Sequence, residues 1–330
     1  MTGEFDFIHN LLNKTRKNKP QFSPVKIGIG DDCAVISQNS KTDLVVTADM
    51  LVEDIDFRLD WTRAEFIGHK ALAVSLSDVA AMGAKPLWAL VSIGIPEKIW
   101  KTDFVEKFYA GWFDLAKKFN VELAGGDVSR TPDKIVIDSI VAGGTKKNLA
   151  VLRSGAKVGD LIFVTGKLGG AAAGLRLLES DFRFDSEKGS RKNFIRKQLA
   201  PNPQIETGVK LSESKLTTAM LDLSDGLSSD LSHLCRASKV GARLVAEKIP
   251  LETNFQQVLK QNEDVISFAL NGGEDFELLF TARPKDKNKL EKLLNKKTTS
   301  IGQITDNVGK IELARESKTI LLEPQGFRHF

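Results

Sequence analysis

The stretch Ala64 to Met82 constrains this chain most. Small and apolar residues dominate it, Gly83 follows as the residue that ends a helix in a left-handed turn, and the pattern predicts a core-facing helix. Such a helix needs other layers to bury it. Yet Asp78 stands between Ala71-Leu72-Ala73-Val74 and Val79-Ala80-Ala81-Met82. A lone buried carboxylate is costly, so it must reach solvent, cap a neighbouring segment or meet a cation.

Around this helix, strand-like runs occur at Leu44 to Thr47, Leu87 to Ile95, Val121 to Ala124, Ile135 to Val141, Leu161 to Thr165 and Thr217 to Leu221. Further helices are predicted over Thr102 to Phe119, Gly169 to Leu178 and Ser228 to Ala237. Ser180 to Lys197 is charged and without period, which predicts a surface connection, and Lys285 to Lys297 predicts an exposed helix. The alternation means a mixed α/β protein. At 330 residues two domains are expected, each with its own core. The boundary is placed where a Gly-Gly turn and Thr145 to Asn148 lead into Arg153-Ser154-Gly155, giving residues 1–148 and 149–330.

Composition removes several functions. A net charge of +4 is small for this length, and the basic clusters Lys14 to Lys19, Lys188 to Lys197 and Lys285 to Lys297 lack interleaved stacking aromatics, so nucleic acid is not an expected partner. Two cysteines, Cys33 and Cys235, make no disulfide framework and point to a reducing cytoplasm. His9, His69, His233 and His329 are scattered singly, so a structural zinc site is not expected and any metal should be hard and oxygen-bound. There is no signal-peptide-like apolar run at the start and no stretch long enough to span a membrane.

Chemistry is carried by carboxylates that follow small residues. Gly28-Ile29-Gly30-Asp31-Asp32 is either a solvated turn or a place where amides and carboxylates approach a cation together. Leu44 to Ala48 leads to Asp49 at a strand's carboxyl end, where α/β proteins present ligands. Glu53, Asp54 and Asp56 follow in a denser, more soluble cluster. Gly125-Gly126-Asp127 suits a tight turn or a close approach to phosphate, and Asp222-Leu223-Ser224-Asp225-Gly226 and Gly272-Gly273-Glu274-Asp275 repeat that grammar. Asp78 to Asp127 and Asp225 to Glu274 share a separation of 49 residues, a hint of duplication. Carboxylates are useful beside phosphates only with divalent cations between them, and Mg²⁺ suits that role. Arg153 and Lys157 offer positive charge, or simple surface pairing. Gly166-Lys167-Leu168-Gly169-Gly170 after a strand is a phosphate-binding helix start or a helix–sheet packing device. P-loop, protein-kinase and nucleophile-elbow motifs are absent.

Taken together, Gly28 to Cys33, Leu76 to Ala84, Gly125 to Asp127, Arg153 to Ala156, Asp222 to Leu227 and Gly272 to Leu278 closely resemble the thiamine-monophosphate kinases, with a match running from Gly3 to Phe330. The resemblance implies a two-domain fold similar to aminoimidazole ribonucleotide synthetase, with an N-terminal sheet forming a dimer barrel and a C-terminal α/β domain completing the site. It implies a homodimeric phosphotransferase that moves the γ-phosphate of ATP to thiamine monophosphate with several Mg²⁺ ions and no covalent nucleophile. Carried over by position, Asp32, Thr47, Asp49, Asp78, Asp127, Asp222 and Asp225 are metal ligands. Gly126, Asp127, Arg153 and Ser224 are nucleotide contacts, and Asp56, Glu274 and Phe327, in the closing Gly326-Phe327-Arg328-His329-Phe330, are substrate contacts. The usual D-x-L-V-E-x-x-H-F reads Asp49 to Phe57 here, so Asp56 replaces a His, and Ala48 stands where a hydroxyl residue is common.

Overall fold

The computed structural model describes residues 4–17, 20–259 and 263–327. Two sheets organise it. The first holds β1 (Val25–Ile27), β2 (Ala34–Ser37), β3 (Thr42–Val52), β4 (Lys85–Pro96), β5 (Glu122–Thr131) and β6 (Val136–Lys146), in the spatial order β1-β2-β3-β6-β4-β5. The second holds β7 (Leu161–Thr165), β8 (Thr217–Asp222), β9 (Gly241–Val245), β10 (Leu278–Ala282), β11 (Thr298–Thr305), β12 (Ile311–Arg315) and β13 (Lys318–Leu321), in the order β13-β12-β9-β11-β7-β10-β8. The helices of the first half are α1 (Glu4–Lys17), α2 (Ala64–Ala81), α3 (Glu97–Trp100) and α4 (Phe104–Phe119). Those of the second are α5 (Gly170–Glu179), α6 (Gly189–Leu199), α7 (Ile205–Ser214), α8 (Leu227–Ser238), α9 (Ile266–Asn271) and α10 (Lys287–Leu293).

α2 is the axle of the molecule. Ala and Leu favour the helix, Gly83 closes it with φ 66°, and residues on all its sides are buried, as expected of a helix apolar all round. It lies on the inner face of the first sheet, against β3 and β6, and also packs on α4, α7 and β8, so it joins the two halves of the chain. The approach of α4 depends on glycine. A Cβ on Gly68 would sit 1.9 Å from the Phe108 carbonyl oxygen, and one on Gly111 would sit 1.9 Å from that of Glu65.

In the first sheet β3 and β6 pair without interruption from Thr42↔Lys146 to Val52↔Val136. The pleat sends Val45, Thr47, Asp49 and Leu51 towards α2 and leaves Leu44, Val46, Ala48 and Met50 on the other side. That outer face has little cover, and Met50 is 59% exposed on it.

Several expectations change. Asp49 is within a strand, three residues before its end, because β3 runs on to Val52. Gly143-Gly144 is not a turn but part of β6: a Cβ on Gly143 would meet Val79 Cγ1 at 2.7 Å, so glycine there lets the sheet approach α2. Gly125-Gly126-Asp127 is likewise in a strand, since β5 extends far past Ala124, and a Cβ on Gly126 would sit 1.8 Å from the Val91 carbonyl oxygen of β4. Ser180 to Lys197 is not a mere connection, because Phe184, Phe194 and Ile195 are buried there and α6 begins at Gly189. Lys285 to Lys297 contains a helix of only Lys287–Leu293, with Leu290 fully buried. The 49-residue echo is no structural repeat: Asp78 is inside α2 and Asp225 in a loop, while Asp127 is in a strand and Glu274 in a loop. The closing Arg328, His329 and Phe330 lie outside the described residues.

The glycine contact gives a stability prediction. Gly111→Ala should destabilise the fold by about 2–3 kcal/mol through overpacking against α2, read as a lower urea midpoint by tryptophan fluorescence; an unchanged midpoint would mean that α4 has room to move.

Candidate active site

Three elements distant in sequence converge on one acidic centre. Asp32 follows the Gly30 turn ahead of β2, Asp78 is in α2 and Asp222 ends β8. One carboxylate oxygen from each lies within 4.8 Å of the others. Asp32 and Asp222 are buried. The supports are short hydroxyl bonds: Thr47 Oγ1 donates to Asp78 Oδ2 at 2.5 Å, and Ser77 Oγ donates to Asp222 Oδ2 at 2.5 Å. Arg153 holds Asp32 Oδ1 from Nε at 2.9 Å and Nη2 at 2.6 Å, while its backbone N–H donates to Asp31 Oδ1 at 3.1 Å.

These bonds leave the charge unbalanced. Burial raises the carboxyl of Asp222 to about 7, with nearby Asp32 adding to the effect. Burial also raises Asp78 well above the ordinary range, reinforced by Asp49, Asp222 and Asp32. Asp49 rises to about 6, through burial and then Asp138 and Asp32. Asp32 Oδ2 and Asp49 Oδ2 are buried without a hydrogen-bond partner. Orphaned carboxylate oxygens in an all-oxygen donor set fit a hard divalent cation, with Asp32, Asp78 and Asp222 able to hold it and Asp49 and Thr47 beside them.

The centre opens into a cavity of about 840 Å³, large enough for a small-molecule site. Asp49, Asp78, Asp222, Ser224 and Asp225 line its acidic side; Asp56, Glu274 and Phe327 also line it. One oxygen of Asp56 accepts the Val52 N–H at 2.7 Å and so closes its own turn. Phe327 arrives because the final segment docks at the start of α8: Gln325 and Gly326 donate to the hydroxyls of Ser228 and Ser229 at 3.3 and 3.0 Å.

Gly126 and Asp127 are placed elsewhere. Asp127 is exposed on the edge strand β5 and pairs with Ser92, which aligns with Asp138 and then Met50. It is therefore three strands, about 14 Å, from Met50 and on the face opposite to Asp49. Lys157 is exposed, whereas Arg153 joins the centre. The glycines ahead of α5 do not present a vacant helix start: Gly169 and Ala171 N–H donate to Asp275 at 2.6 and 3.1 Å, so the chain's own carboxylate caps it. Sequence reasoning missed Ser77 and Asp138, and Asp31, singled out with Asp32, accepts the Arg153 N–H beside the centre. Polar residues recurring beside Asp78 in an apolar helix were the available signal for Ser77.

Residues 30–145 match the family model described as AIR synthase related protein, N-terminal domain, and residues 157–313 match its C-terminal domain. This defines the class as AIR synthase-related. Thiamine-monophosphate kinase of Bacillus subtilis is 36% identical over 331 residues, covering 99% of both chains. The enzyme of that name from Buchnera aphidicola of Acyrthosiphon pisum is 40% identical over 337 residues, covering 99% of this chain and 98% of its own. The solved structure of AaThiL complexed with AMPPCP and TMP superposes with a TM-score of 0.84 at 33% identity, covering 99% of this chain and 97% of that one. Within the class, the chain belongs to the thiamine-monophosphate kinase family.

The raised carboxyls have a measurable sign. Unfolded aspartates ionise near 3.8, whereas folded Asp49 and Asp222 keep protons to about 6 and 7. Metal-free stability should therefore fall as pH rises from about 4 towards 7. Scanning fluorimetry should show a melting temperature that declines between pH 5 and 8, is restored by Mg²⁺ far more at pH 8 than at pH 5, and slopes less in Asp222→Asn. A Mg²⁺ response equal at both pH values would contradict this.

Proposed function

We propose that this chain transfers the γ-phosphoryl group of ATP to the phosphate of thiamine monophosphate, giving thiamine diphosphate and ADP. The observation that carries the reading is the buried Asp32–Asp78–Asp222 centre opening into a cavity whose other wall holds Asp56, Glu274 and Phe327. One wall is suited to cation-bound phosphates and the other to an organic acceptor. AaThiL, complexed with AMPPCP and TMP, supports the pairing of ligands.

The reaction asks little proton chemistry of the protein. A phosphate monoester with a second pKa of about 6 is already a nucleophile at neutral pH, so no catalytic base and no covalent enzyme intermediate are needed. The γ-phosphorus bond to the acceptor oxygen forms as its bond to the bridging oxygen breaks. Bound Mg²⁺ supplies neutralisation of the phosphate charge and alignment of the two groups. Asp32, Asp49, Asp78, Asp222, Asp225 and Thr47 hold the metal ions, and Ser224 and Arg153 contact the nucleotide. Arg153 also keeps Asp32 oriented. Asp56, Glu274 and Phe327 hold the acceptor. The two domains are 1–148 and 149–330, and the enzyme works in the cytoplasm.

A homodimer gives Gly126 and Asp127 their role. The outer face of the first sheet, with Met50 exposed, is the surface on which a second copy packs to make the barrel. Asp127 then serves the centre of the neighbouring copy, because its own chain presents it on the wrong face of the sheet.

Pure protein with ATP, Mg²⁺ and thiamine monophosphate should form thiamine diphosphate; binding of ATP without that product would end the proposal. Asp78→Asn should lose at least about a hundredfold in turnover while retaining its fold. Asp127→Asn should lose turnover comparably, and mixing the two inactive variants under subunit exchange should regain activity. No regain would place Asp127 in the same chain's site.

A further inference from the structure

Lys70 is a charged residue inside the apolar helix α2, only 3% exposed. Its Nζ lies 2.6 Å from Glu274 Oε1 and donates to the Asp56 carbonyl oxygen at 3.1 Å. The other Glu274 oxygen accepts a hydrogen bond from Nε2 of Gln198, a buried residue of α6. Glu274 adopts φ 65°, unusual for a residue with a side chain, and its N–H donates to the Ser224 carbonyl at 2.8 Å. Its backbone is thus fixed by the loop ahead of α8, and each carboxylate oxygen by a different helix. All of these residues line the cavity.

So complete a clamp is more than a salt bridge. Glu has three rotatable side-chain bonds, and a partly exposed carboxylate without fixed partners samples many rotamers. Here two partners far away in sequence select one orientation. The ammonium has three donors, and Glu274 and Asp56 take two of them, so its charge is spent on holding the wall instead of reaching for a phosphate. The same lysine ties down the turn that carries Asp56, and so both substrate-side carboxylates answer to it.

Resting on the function proposed above, we infer that Lys70 and Gln198 are positioning residues for the acceptor substrate: they fix the Glu274 carboxylate so that it accepts a hydrogen bond from an amino-heterocycle such as the substrate's aminopyrimidine. The nucleotide side of the cavity does not depend on them. Preorganisation of this kind shows in the affinity for one substrate and not the other.

The test is steady-state kinetics on Lys70→Met, Gln198→Leu, Glu274→Gln and the double variant Lys70→Met/Glu274→Gln, with circular dichroism as a fold control. Lys70→Met should raise KM for thiamine monophosphate about tenfold or more, with KM for ATP within about twofold. The double variant should be no worse than its worse parent, because Lys70 acts through Glu274. Losses that add, a KM for ATP that rises in parallel, or an unchanged KM for thiamine monophosphate would overturn the inference. If Lys70→Met does not fold, Gln198→Leu decides by the same split. A wild-type protein that makes no thiamine diphosphate would overturn the proposed function and the clamp with it; an active wild type with unaffected variants would overturn the clamp alone.

Discussion

The burial of Asp32, Asp78 and Asp222, reinforced by their mutual repulsion, is the constraint around which the molecule is arranged. Shifting Asp222 from 3.8 to about 7 corresponds to a cost of about 4 kcal/mol against its ionised form, and its neighbours carry penalties of the same sign. A fold with marginal net stability keeps such a centre only if something else holds the carboxylates in place. That something is α2, packed on the first sheet, on α4 and on β8, and thus unable to swing Asp78 into solvent. The hydroxyls of Thr47 and Ser77 and the guanidinium of Arg153 orient the oxygens without neutralising the whole cluster. A divalent cation held as proposed above would complete the balance, and the penalty of the metal-free state would then favour its binding.

The same helix connects the two walls of the cavity. Asp78 faces the acidic centre, and two turns earlier Lys70 reaches Glu274 from the second half of the chain. Placement of the acidic wall with Asp78 and of the wall with Glu274 therefore depends on a single rigid element. This suits phosphoryl transfer, in which alignment of two charged groups contributes more than proton movement.

Much of this was legible in the sequence. The run Leu161 to Thr165 is a strand with those bounds, and α2 is helical from Ala64 with Gly83 as its terminator, because local propensity and tertiary packing agree there. The glycine turn before Asp31-Asp32, the lone Asp78 in an apolar helix and the Asp222 to Gly226 motif marked three carboxylates that do meet. Where tertiary contacts prevail, local reading failed. Gly143 and Gly126 look like turns but are strand residues whose missing side chains permit close backbone approach. The basic stretch before Leu199 hid buried Phe184 and Phe194, because Arg and Lys lie over aromatic faces there: Lys192 Nζ is 4.4 Å from the Phe184 ring centroid. The separation of Asp127 from the centre follows from strand order, and the pairing of Lys70 with Glu274 joins residues about two hundred positions apart. Neither leaves a local signature.

Whether the buried carboxylates are a cation site is decided by anomalous diffraction from crystals grown with Mn²⁺ and a non-hydrolysable ATP analogue. A metal peak about 2 Å from oxygens of Asp32, Asp78 or Asp222, beside the nucleotide phosphates, is expected. Bound nucleotide with no metal peak at those carboxylates would contradict the cation site.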